Sequence, residues 1–210
     1  QPYGPSPKAG MRHAVSQWGK GRGTSRVQRL TQGNKAAESP NNVGGRRAFP
    51  PKPEKDYSKK INRKEKNKAK LSALAALADP EMVKLRGHQF EEGITMPVIV
   101  EDDFEKLSTT SDVVSALEKL GVSPDLDRAK DGKKIRAGRG KMRSRKYKTP
   151  RSVLLVVSAQ EAPVFMGANN LPGVEIVATE GLNAGVLAPG GVAGRLAVFS
   201  ESALKKVGEW

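Results

Sequence analysis

The stretch VLLVV, Val153 to Val157, decides the fold of this chain. It lacks the alternation of apolar and polar residues that marks a strand with one face in water, so it predicts a strand covered on both faces. Short β-branched runs predict three more strands, at Met96 to Val100, Val174 to Ala178 and Leu196 to Phe199. Four such strands indicate a central buried sheet.

Helices are predicted in the segments between these strands. Asn62 stands three residues before Glu65, the spacing of a capping box, and Asp79 followed by Pro80 has the pattern of a second cap. Apolar residues at helical intervals predict helices over about 63–78, 79–87, 113–121, 162–169 and 200–207. Strands alternating with helices predict an α/β fold, a mostly parallel sheet with helices on both faces in three layers.

The first sixty residues differ in composition from the rest. Nine of them are Val, Ile, Leu, Met, Phe, Trp or Tyr, whereas seven are Pro and eight are Gly. Such a segment buries too little apolar surface to offset its chain entropy, so we expect it to be disordered until a partner orders it. The chain therefore divides into a long extended basic loop without regular structure, 1–56, and a globular α/β domain, 57–210.

Charge is sorted along the chain by sign. Residues 1–70 carry 18 basic and 4 acidic side chains, residues 71–132 carry 6 and 13, and the whole chain of 210 residues has a formal net charge of +15. A mixed surface is enough to keep a domain in solution, so this segregation indicates recognition of a partner, with nucleic acid as the first candidate. The chain has no cysteine, which excludes disulfide frameworks, cysteine-based zinc sites and thiol catalysis.

The run KKIRAGRGKMRSRKYKTPR, Lys133 to Arg151, holds ten Lys or Arg among nineteen residues and no acidic residue. Gly138 and Gly140 would let the backbone approach a phosphate chain, and Tyr147 could contact a base or a ribose. The alternative is a basic surface loop that contacts only solvent. We favour an RNA contact, because the release of counterions from the phosphates would give such a loop affinity for RNA. The predicted RNA-binding residues here are Lys133, Lys134, Arg136, Arg139, Lys141, Arg143, Arg145, Lys146, Tyr147, Lys148 and Arg151.

The motif WGKGRG, Trp18 to Gly23, offers a second candidate site. It follows no predicted strand and lacks the GxxxxGK[ST] pattern of a phosphate loop, so nucleotide binding is only weakly indicated. For RNA, the glycines permit close approach, Trp18 offers a stacking face and the cations meet phosphates. The predicted RNA-binding residues outside the basic run are Arg12, Trp18, Lys20, Arg22, Arg26, Arg29, Arg46, Arg47, Lys52, Lys55, Lys59, Lys60 and Arg63.

Acidic residues follow the predicted strand at Met96 to Val100. Glu101, Asp102 and Asp103 stand where parallel-sheet enzymes often place metal-binding carboxylates. The alternative function is therefore a nucleotide- or Mg-dependent RNA-processing enzyme that uses these three side chains. No His, Ser or Lys constellation accompanies them at fixed spacing, so we favour solvated loop carboxylates and expect no catalysis, no metal and no cofactor.

A third hypothesis is that the chain is a polybasic protein that binds the membrane surface. No apolar run approaches the roughly 18 to 20 residues that span a bilayer. The basic stretches contain Gly and Pro in place of an amphipathic apolar face. We therefore expect no membrane partner.

Four stretches together resemble one known family. WGKGRG at 18–23, RGH at 86–88, KKIRAGRGKMRSRKY at 133–147 and LAPGGVAGRLAVFSESAL at 187–204 are similar, in this order, to the universal large-subunit ribosomal protein four family. The likeness covers essentially the whole chain and is to the archaeal and eukaryotic branch. The lack of a long basic C-terminal extension favours an archaeal member, and family members carry further residues ahead of the position of Gln1.

The resemblance implies a structural constituent of the large ribosomal subunit in the cytoplasm. Members of the family bind ribosomal RNA early in subunit assembly, and their long loop helps to line the peptide exit tunnel. The partners it implies are large-subunit ribosomal RNA, neighbouring large-subunit ribosomal proteins and the nascent polypeptide. Tunnel-lining candidates on the loop are Arg26, Arg29, Gln32, Asn34 and Arg46.

Overall fold

The computed structural model describes residues 4–209. The chain divides into two compact units, Gln1–Lys60 and Ile61–Trp210. The boundary at 56/57 marks the end of the segment expected to thread RNA, and it remains a prediction.

The first unit has little regular structure. Two three-residue strands, β1 (Val15–Gln17) and β2 (Gln28–Leu30), pair antiparallel with Val15 opposite Leu30. The other described residues of this unit form turns, bends and irregular segments, apart from one isolated bridge. Among residues 4–56, regular strand or helix structure is thus confined to this short hairpin. The expected disorder of the free segment remains a prediction.

The second unit alternates helices and strands. Its elements are α1 (Arg63–Ala75), α2 (Pro80–Leu85), β3 (Val98–Val100), α3 (Thr110–Lys119), α4 (Ser123–Asp131), β4 (Lys134–Ile135), β5 (Tyr147–Lys148), β6 (Leu154–Val157), α5 (Val164–Ala168), β7 (Glu175–Ala178), α6 (Ala184–Leu187), β8 (Ala197–Ser200) and α7 (Glu201–Gly208). Short 3-10 helices occupy Asp102–Lys106, Arg139–Met142, Thr179–Gly181 and Pro189–Gly191. Within residues 4–209, no helix is long and apolar enough to cross a membrane.

Four strands form one parallel sheet in the order β3, β8, β6, β7. The inner strand β6 pairs with both neighbours, so that Leu155 lies opposite Val198 of β8 and Ile176 of β7. The predicted parallel sheet is confirmed, with each strand within about two residues of its expected bounds.

Alternate residues of β6 enter two separate cores. Leu155 and Val157 pack into a core that includes buried side chains of α3, α4 and α5. Leu154 and Val156 pack into a second core with buried side chains of α1, α6 and α7. Because all four β6 residues are buried, the strand has no polar alternation. The prediction of helices on both faces is confirmed.

The predicted caps of the first two helices differ in outcome. Asn62 precedes α1, but its side chain makes no capping hydrogen bond, so the predicted capping box with Glu65 is wrong. Water can satisfy the first N–H groups instead, because the opening turns of α1 are exposed. The Asp79 cap is confirmed, since its carboxylate accepts from the backbone N–H of Glu81 at 2.9 Å.

Candidate RNA-binding surfaces

Residues 134–148 form an antiparallel hairpin, here called the basic hairpin. Lys134 of β4 lies opposite Lys148 of β5, and Ile135 lies opposite Tyr147. The predicted basic run is therefore a structured element with a defined pairing register.

The connection between the two strands uses left-handed backbone. Gly138 has a φ of +79° and leads into the 3-10 helix Arg139–Met142, while Ser144 has a φ of +60°. The Nε of Arg136 donates to the carbonyl of Arg145 at 3.1 Å across the hairpin. Gly138 thus has a conformational role in addition to the close phosphate approach predicted for it, because φ values of this kind favour glycine.

The cations of the basic hairpin face solvent. Every predicted RNA-binding residue from Lys133 to Lys148 is exposed. The pair Lys134 and Lys148 sets like charges directly opposite each other, which destabilises a two-stranded ribbon. The Nζ atoms of Lys133 and Lys146 lie 4.9 and 5.4 Å from the ring centroid of Tyr147. A polyanion would relieve this repulsion, so the hairpin is suited to phosphate.

A buried carboxylate lies at the base of the basic hairpin. Oδ1 of Asp125, on α4, accepts from Arg128 Nε at 2.8 Å and from the backbone N–H of Gln89 at 3.0 Å. Its Oδ2 accepts from Ser152 Oγ at 2.7 Å and lies 3.1 Å from Nδ1 of His88. The network joins three segments of the second unit that are distant in sequence.

The Asp125 network also holds the chain that returns from the hairpin. Burial raises the pKa of Asp125, but hydrogen bonds from His88, Arg128 and Ser152 outweigh that effect and hold the pKa well below its usual value. Arg128 uses its Nη2 to donate to the carbonyl of Arg151 at 2.7 Å. An ionised carboxylate in the domain interior therefore fixes the point where the hairpin joins β6.

Arg86 of the RGH motif and Arg195 of the LAPGGVAGR motif bind other groups of the second unit. The guanidinium of Arg86 donates to the carbonyl of Pro189 at 2.8 Å and to that of Val192. Arg195 is fully buried and forms an ion pair with Glu175 at 2.8 Å. In these two motifs, which are part of the family resemblance, the arginines therefore stabilise the fold of the second unit.

A second basic surface lies on α1. Arg63, Lys66, Asn67 and Lys70 recur at helical spacing and line a groove of about 510 Å³ with residues 180–184. Of these side chains only Arg63 was among the predicted RNA-binding residues. Burial, together with the nearby charge of Lys66, lowers the pKa of Lys70. Cations in the first turns of a helix oppose its macrodipole, so a bound anion would stabilise α1.

The hairpin of β1 and β2 gathers predicted residues of the first unit. The guanidinium carbons of Arg22 and Arg29 lie 4.8 and 5.1 Å from the ring centroid of Trp18. Arg29 also donates to the carbonyls of Asn34 at 2.6 Å and Ser25 at 3.2 Å. The Trp18 ring, which was predicted to stack on a base, therefore already contacts Arg22 and Arg29. Arg29 in addition uses part of its guanidinium for hydrogen bonds within the turn.

The remaining predicted residues of the first unit are accessible. Arg46 is half-buried, and the exposed ones are Arg12, Lys20, Arg26, Gln32, Asn34, Arg47, Lys52, Lys55, Lys59 and Lys60. Two exposed aromatic residues, Phe49 and Tyr57, were not predicted as contacts. Their position inside the basic segment RRAFPPKPEKDY was the available signal.

The carboxylates after β3 make hydrogen bonds within the second unit. Asp102 accepts from the backbone N–H of Ser202 at 2.9 Å and from its hydroxyl, which lowers the pKa of Asp102. Asp103 forms an ion pair with Lys106 at 2.7 Å, and Glu101 is exposed. Among the described residues, no group of three or more His, Cys, Asp or Glu side chains could hold a metal ion.

Comparison with known proteins gives the family of the chain. The model of the ribosomal protein L4/L1 family matches residues 1–210. The chain belongs to this ribosomal protein family. Large ribosomal subunit protein uL4 of Methanocaldococcus jannaschii is 53% identical over 209 residues, which cover 100% of this chain and 82% of the relative. The proteins of the same name from Methanoculleus marisnigri and Archaeoglobus fulgidus are 49% and 47% identical over 210 residues, with the same coverage.

Membership of the L4/L1 family confirms the resemblance drawn from the four motifs. These relatives come from archaea, the branch favoured by the sequence. They are named as ribosomal proteins and not as enzymes. This L4/L1 protein is accordingly not an enzyme, and the alternative that assigned catalysis to Glu101, Asp102 and Asp103 is wrong.

Proposed function

We propose that this L4/L1 protein is a structural constituent of the large ribosomal subunit and binds its ribosomal RNA. Its relatives are named large ribosomal subunit proteins. The observation that carries the RNA-binding role is the basic hairpin, a structured ribbon with exposed cations and with Lys134 opposite Lys148. Its place of action is the cytoplasm, with ribosomal RNA and neighbouring large-subunit proteins as partners.

The basic hairpin acts as a phosphate anchor. Each cation that neutralises a phosphate releases a condensed counterion, so affinity rises without any reading of base sequence. The α1 groove adds Arg63, Lys66 and Lys70 as a second contact within the same unit. The Asp125 network keeps the hairpin attached to the domain at a fixed point, which favours one docking position on the RNA.

A salt titration tests the anchor. Large-subunit RNA stripped of protein is bound to the full chain at increasing salt, and log Kd is plotted against log salt concentration. Alanine at Lys133, Lys134 and Arg136 together should flatten the slope by about 2 to 3 units, since each lost phosphate contact removes about 0.7 to 0.9. An unchanged slope contradicts the anchor.

A matched triple variant controls for total charge. Lys119, Lys205 and Lys206 are exposed lysines of α3 and α7 in the same unit. Their replacement by Ala removes the same charge and should leave the slope within about half a unit of the wild type, because no phosphate contact is lost. Equal flattening by both triples would mean that diffuse charge, and not the hairpin, governs binding.

The first unit takes a separate role in this proposal. It binds RNA early in subunit assembly, and its residues near the β1–β2 hairpin help to line the peptide exit tunnel. The support is the combination of exposed Arg26, Gln32 and Asn34 with the family to which the chain belongs. These residues act by narrowing and charging the path of the nascent chain, in keeping with relatives that are named as ribosomal proteins.

Crosslinking tests the tunnel role directly. The chain has no cysteine, so Asn34→Cys introduces a single attachment point for a short photo-crosslinker. In ribosomes stalled on a long nascent chain, Asn34→Cys should crosslink to that chain, whereas Glu161→Cys on the second unit should not. If Arg26→Cys, Gln32→Cys and Asn34→Cys all fail to reach the nascent chain, the tunnel role is wrong.

A further inference from the structure

A cleft of about 650 Å³ lies in the first unit, between residues 47 and 57. Phe49 and Tyr57 line it, together with prolines and with the cations Arg47, Lys52 and Lys55. None of the residues that line this cleft belongs to the basic hairpin or to the group of Trp18, Arg22 and Arg29. Its two aromatic side chains therefore have no role assigned so far.

The two aromatic rings of the cleft are in contact with solvent. Phe49 is 93% exposed and Tyr57 is 55% exposed. An exposed aromatic ring forfeits the stabilisation that burial would give, and exposed apolar surface concentrated at one place marks a binding site. The only other aromatic residue among the described residues of this unit, Trp18, is half-buried beneath two arginines. Among the described rings of this unit, Phe49 is therefore the most exposed.

The charged side chains that line the cleft indicate which kind of ligand it can bind. Three cations and one acidic residue, Glu54, line the cleft. The Nζ of Lys55 lies 5.2 Å from the ring centroid of Tyr57, so cation and ring are side by side. A ligand with a flat apolar face and an attached negative charge fits both features. A nucleotide has both, in its base and its phosphate.

Prolines and local hydrogen bonds restrict the segment that lines the cleft. Pro50 and Pro51 line the cleft and restrict φ there. The backbone N–H of Lys55 donates to the carbonyl of Lys52 at 3.2 Å, which closes a turn between two of the lining residues. Asp56 accepts from the N–H and the hydroxyl of Ser58 at 2.8 and 2.7 Å beside Tyr57. A restricted backbone of this kind loses less entropy when a ligand binds.

We propose that this cleft binds an unpaired nucleotide of ribosomal RNA, with the base stacked on Phe49 and its phosphates on Lys52 and Lys55. The inference rests on the proposed RNA-binding function and adds a site for single-stranded RNA to it. A duplex does not fit, because its bases are stacked on one another and their faces cannot reach a side chain. Stacking tolerates any base, so the cleft selects an unpaired conformation and not a sequence.

Affinity measurements on the full chain with protein-free large-subunit RNA test the cleft. Loss of one base-stacking contact costs about 1 to 3 kcal/mol, which corresponds to a Kd weaker by about 5- to 140-fold. Phe49→Ala should show that loss with an unchanged salt slope, because no phosphate contact is removed. Phe49→Leu should be as weak as Phe49→Ala, whereas Phe49→Trp should restore binding.

A control and a counter-test separate stacking from other causes. Val43, in the same unit, is 98% exposed, and Val43→Ala should change Kd less than about 2-fold. Lys52→Ala with Lys55→Ala should flatten the salt slope by about 1.4 units, the value for two single-strand phosphates. If Phe49→Ala binds the RNA with wild-type affinity and the wild-type salt slope, nucleotide binding in the cleft is wrong, but the proposed RNA-binding function is not affected. Wild-type affinity in Phe49→Leu would show that an apolar side chain without a ring is sufficient, which also contradicts base stacking on Phe49.

Ultraviolet crosslinking in assembled large subunits gives a second readout. Short-wave light joins a stacked base directly to the ring beside it, and mass spectrometry identifies the modified peptide. The proposal predicts a nucleotide adduct on the peptide that contains Phe49 or Tyr57, and predicts loss of the Phe49 adduct in Phe49→Leu. Adducts confined to other peptides would contradict it.

Discussion

The substitution Asp125→Ala should destabilise the second unit by about 3 to 5 kcal/mol, the range seen when one partner of a buried ion pair is removed. The carboxylate is fully buried and accepts hydrogen bonds from Arg128, Ser152 and the backbone of Gln89, with His88 at 3.1 Å. Its loss leaves several groups in the interior without an acceptor.

The magnitude follows from counting those groups. A buried donor without a partner costs about 1 to 3 kcal/mol. His88 and the N–H of Gln89 lose the acceptor named for them, and Ser152 keeps a weaker bond to the carbonyl of residue 125 at 3.2 Å. Arg128 is half-buried and can turn to water, so it contributes less. Two full donors and two partial donors give a loss close to the range for a broken buried pair.

Urea denaturation of the full chain, followed by circular dichroism, measures the loss. Asp125→Ala should lower the midpoint while leaving the slope of free energy against urea near the wild-type value. Asp127→Ala is the matched control, because Asp127 is exposed on the same helix and its removal should cost less than about 0.5 kcal/mol. A loss below about 1 kcal/mol in Asp125→Ala, or one equal to the control, would refute the reasoning, since unmet buried donors cost more than that.

The pH dependence gives an independent check with a defined sign. The pKa of Asp125 in the folded protein is held below its unfolded value of about 3.9, so the folded state binds the proton more weakly. Its contribution to stability is present in full above about pH 4 to 5 and is lost as the pH falls towards the folded pKa. The stability difference between wild type and Asp125→Ala should therefore narrow as the pH falls below about 4.

Three further predictions concern the same unit. Gly173 has a φ of +76°, and a Cβ there would lie 2.4 Å from the carbonyl oxygen of Pro150; Gly173→Ala should cost more than about 1 kcal/mol by urea denaturation, because left-handed backbone alone costs about that much. Leu155 is 1% exposed at the centre of the first core; Leu155→Ala should cost about 2 to 5 kcal/mol, and a loss below about 1 kcal/mol would mean that β6 is not the central strand. Asp102→Ala should lower the melting temperature at pH 7, where the Ser202 hydrogen bonds favour the ionised form, but leave the Kd for ribosomal RNA unchanged; a weaker Kd would mean that the carboxylates touch the RNA site.

The sheet could be predicted because burial on both faces leaves a direct trace in sequence. Val153 to Val157 lies between two cores, so every position along β6 must be apolar. The neighbouring strand β8 is also buried at all four positions. The helices that cover the sheet follow from the alternation of elements along the chain.

Helix α4 was missed because its inward face is partly polar. Only Leu126 and Ala129 are buried apolar residues there, and the third buried residue is Asp125. Apolar periodicity cannot identify a face that contains an ionised side chain, since the stabilising partners His88 and Ser152 come from elsewhere in the chain. The strands β4 and β5 were missed for a related reason, because each spans two exposed residues.

The candidate sites were predictable in composition but not in geometry. The cations of the basic hairpin follow from sequence, whereas the pairing of Lys134 with Lys148 depends on register. The groove beside α1 depends on how that helix packs on residues 180–184. The exposure of Phe49 is likewise a property of the folded segment, since composition does not say which side chains of an extended loop face solvent.

Sedimentation of cell extract through sucrose gradients at moderate and high salt tests the central claim most directly. An RNA-embedded constituent of the large subunit should remain in the large-subunit fractions through the high-salt wash. The triple alanine variant at Lys133, Lys134 and Arg136 should be partly released under the same conditions, because it lacks three phosphate contacts of the basic run from Lys133 to Arg151. Release of the wild-type protein into the soluble fractions at high salt would contradict the account, since a constituent held by buried RNA contacts cannot be washed away.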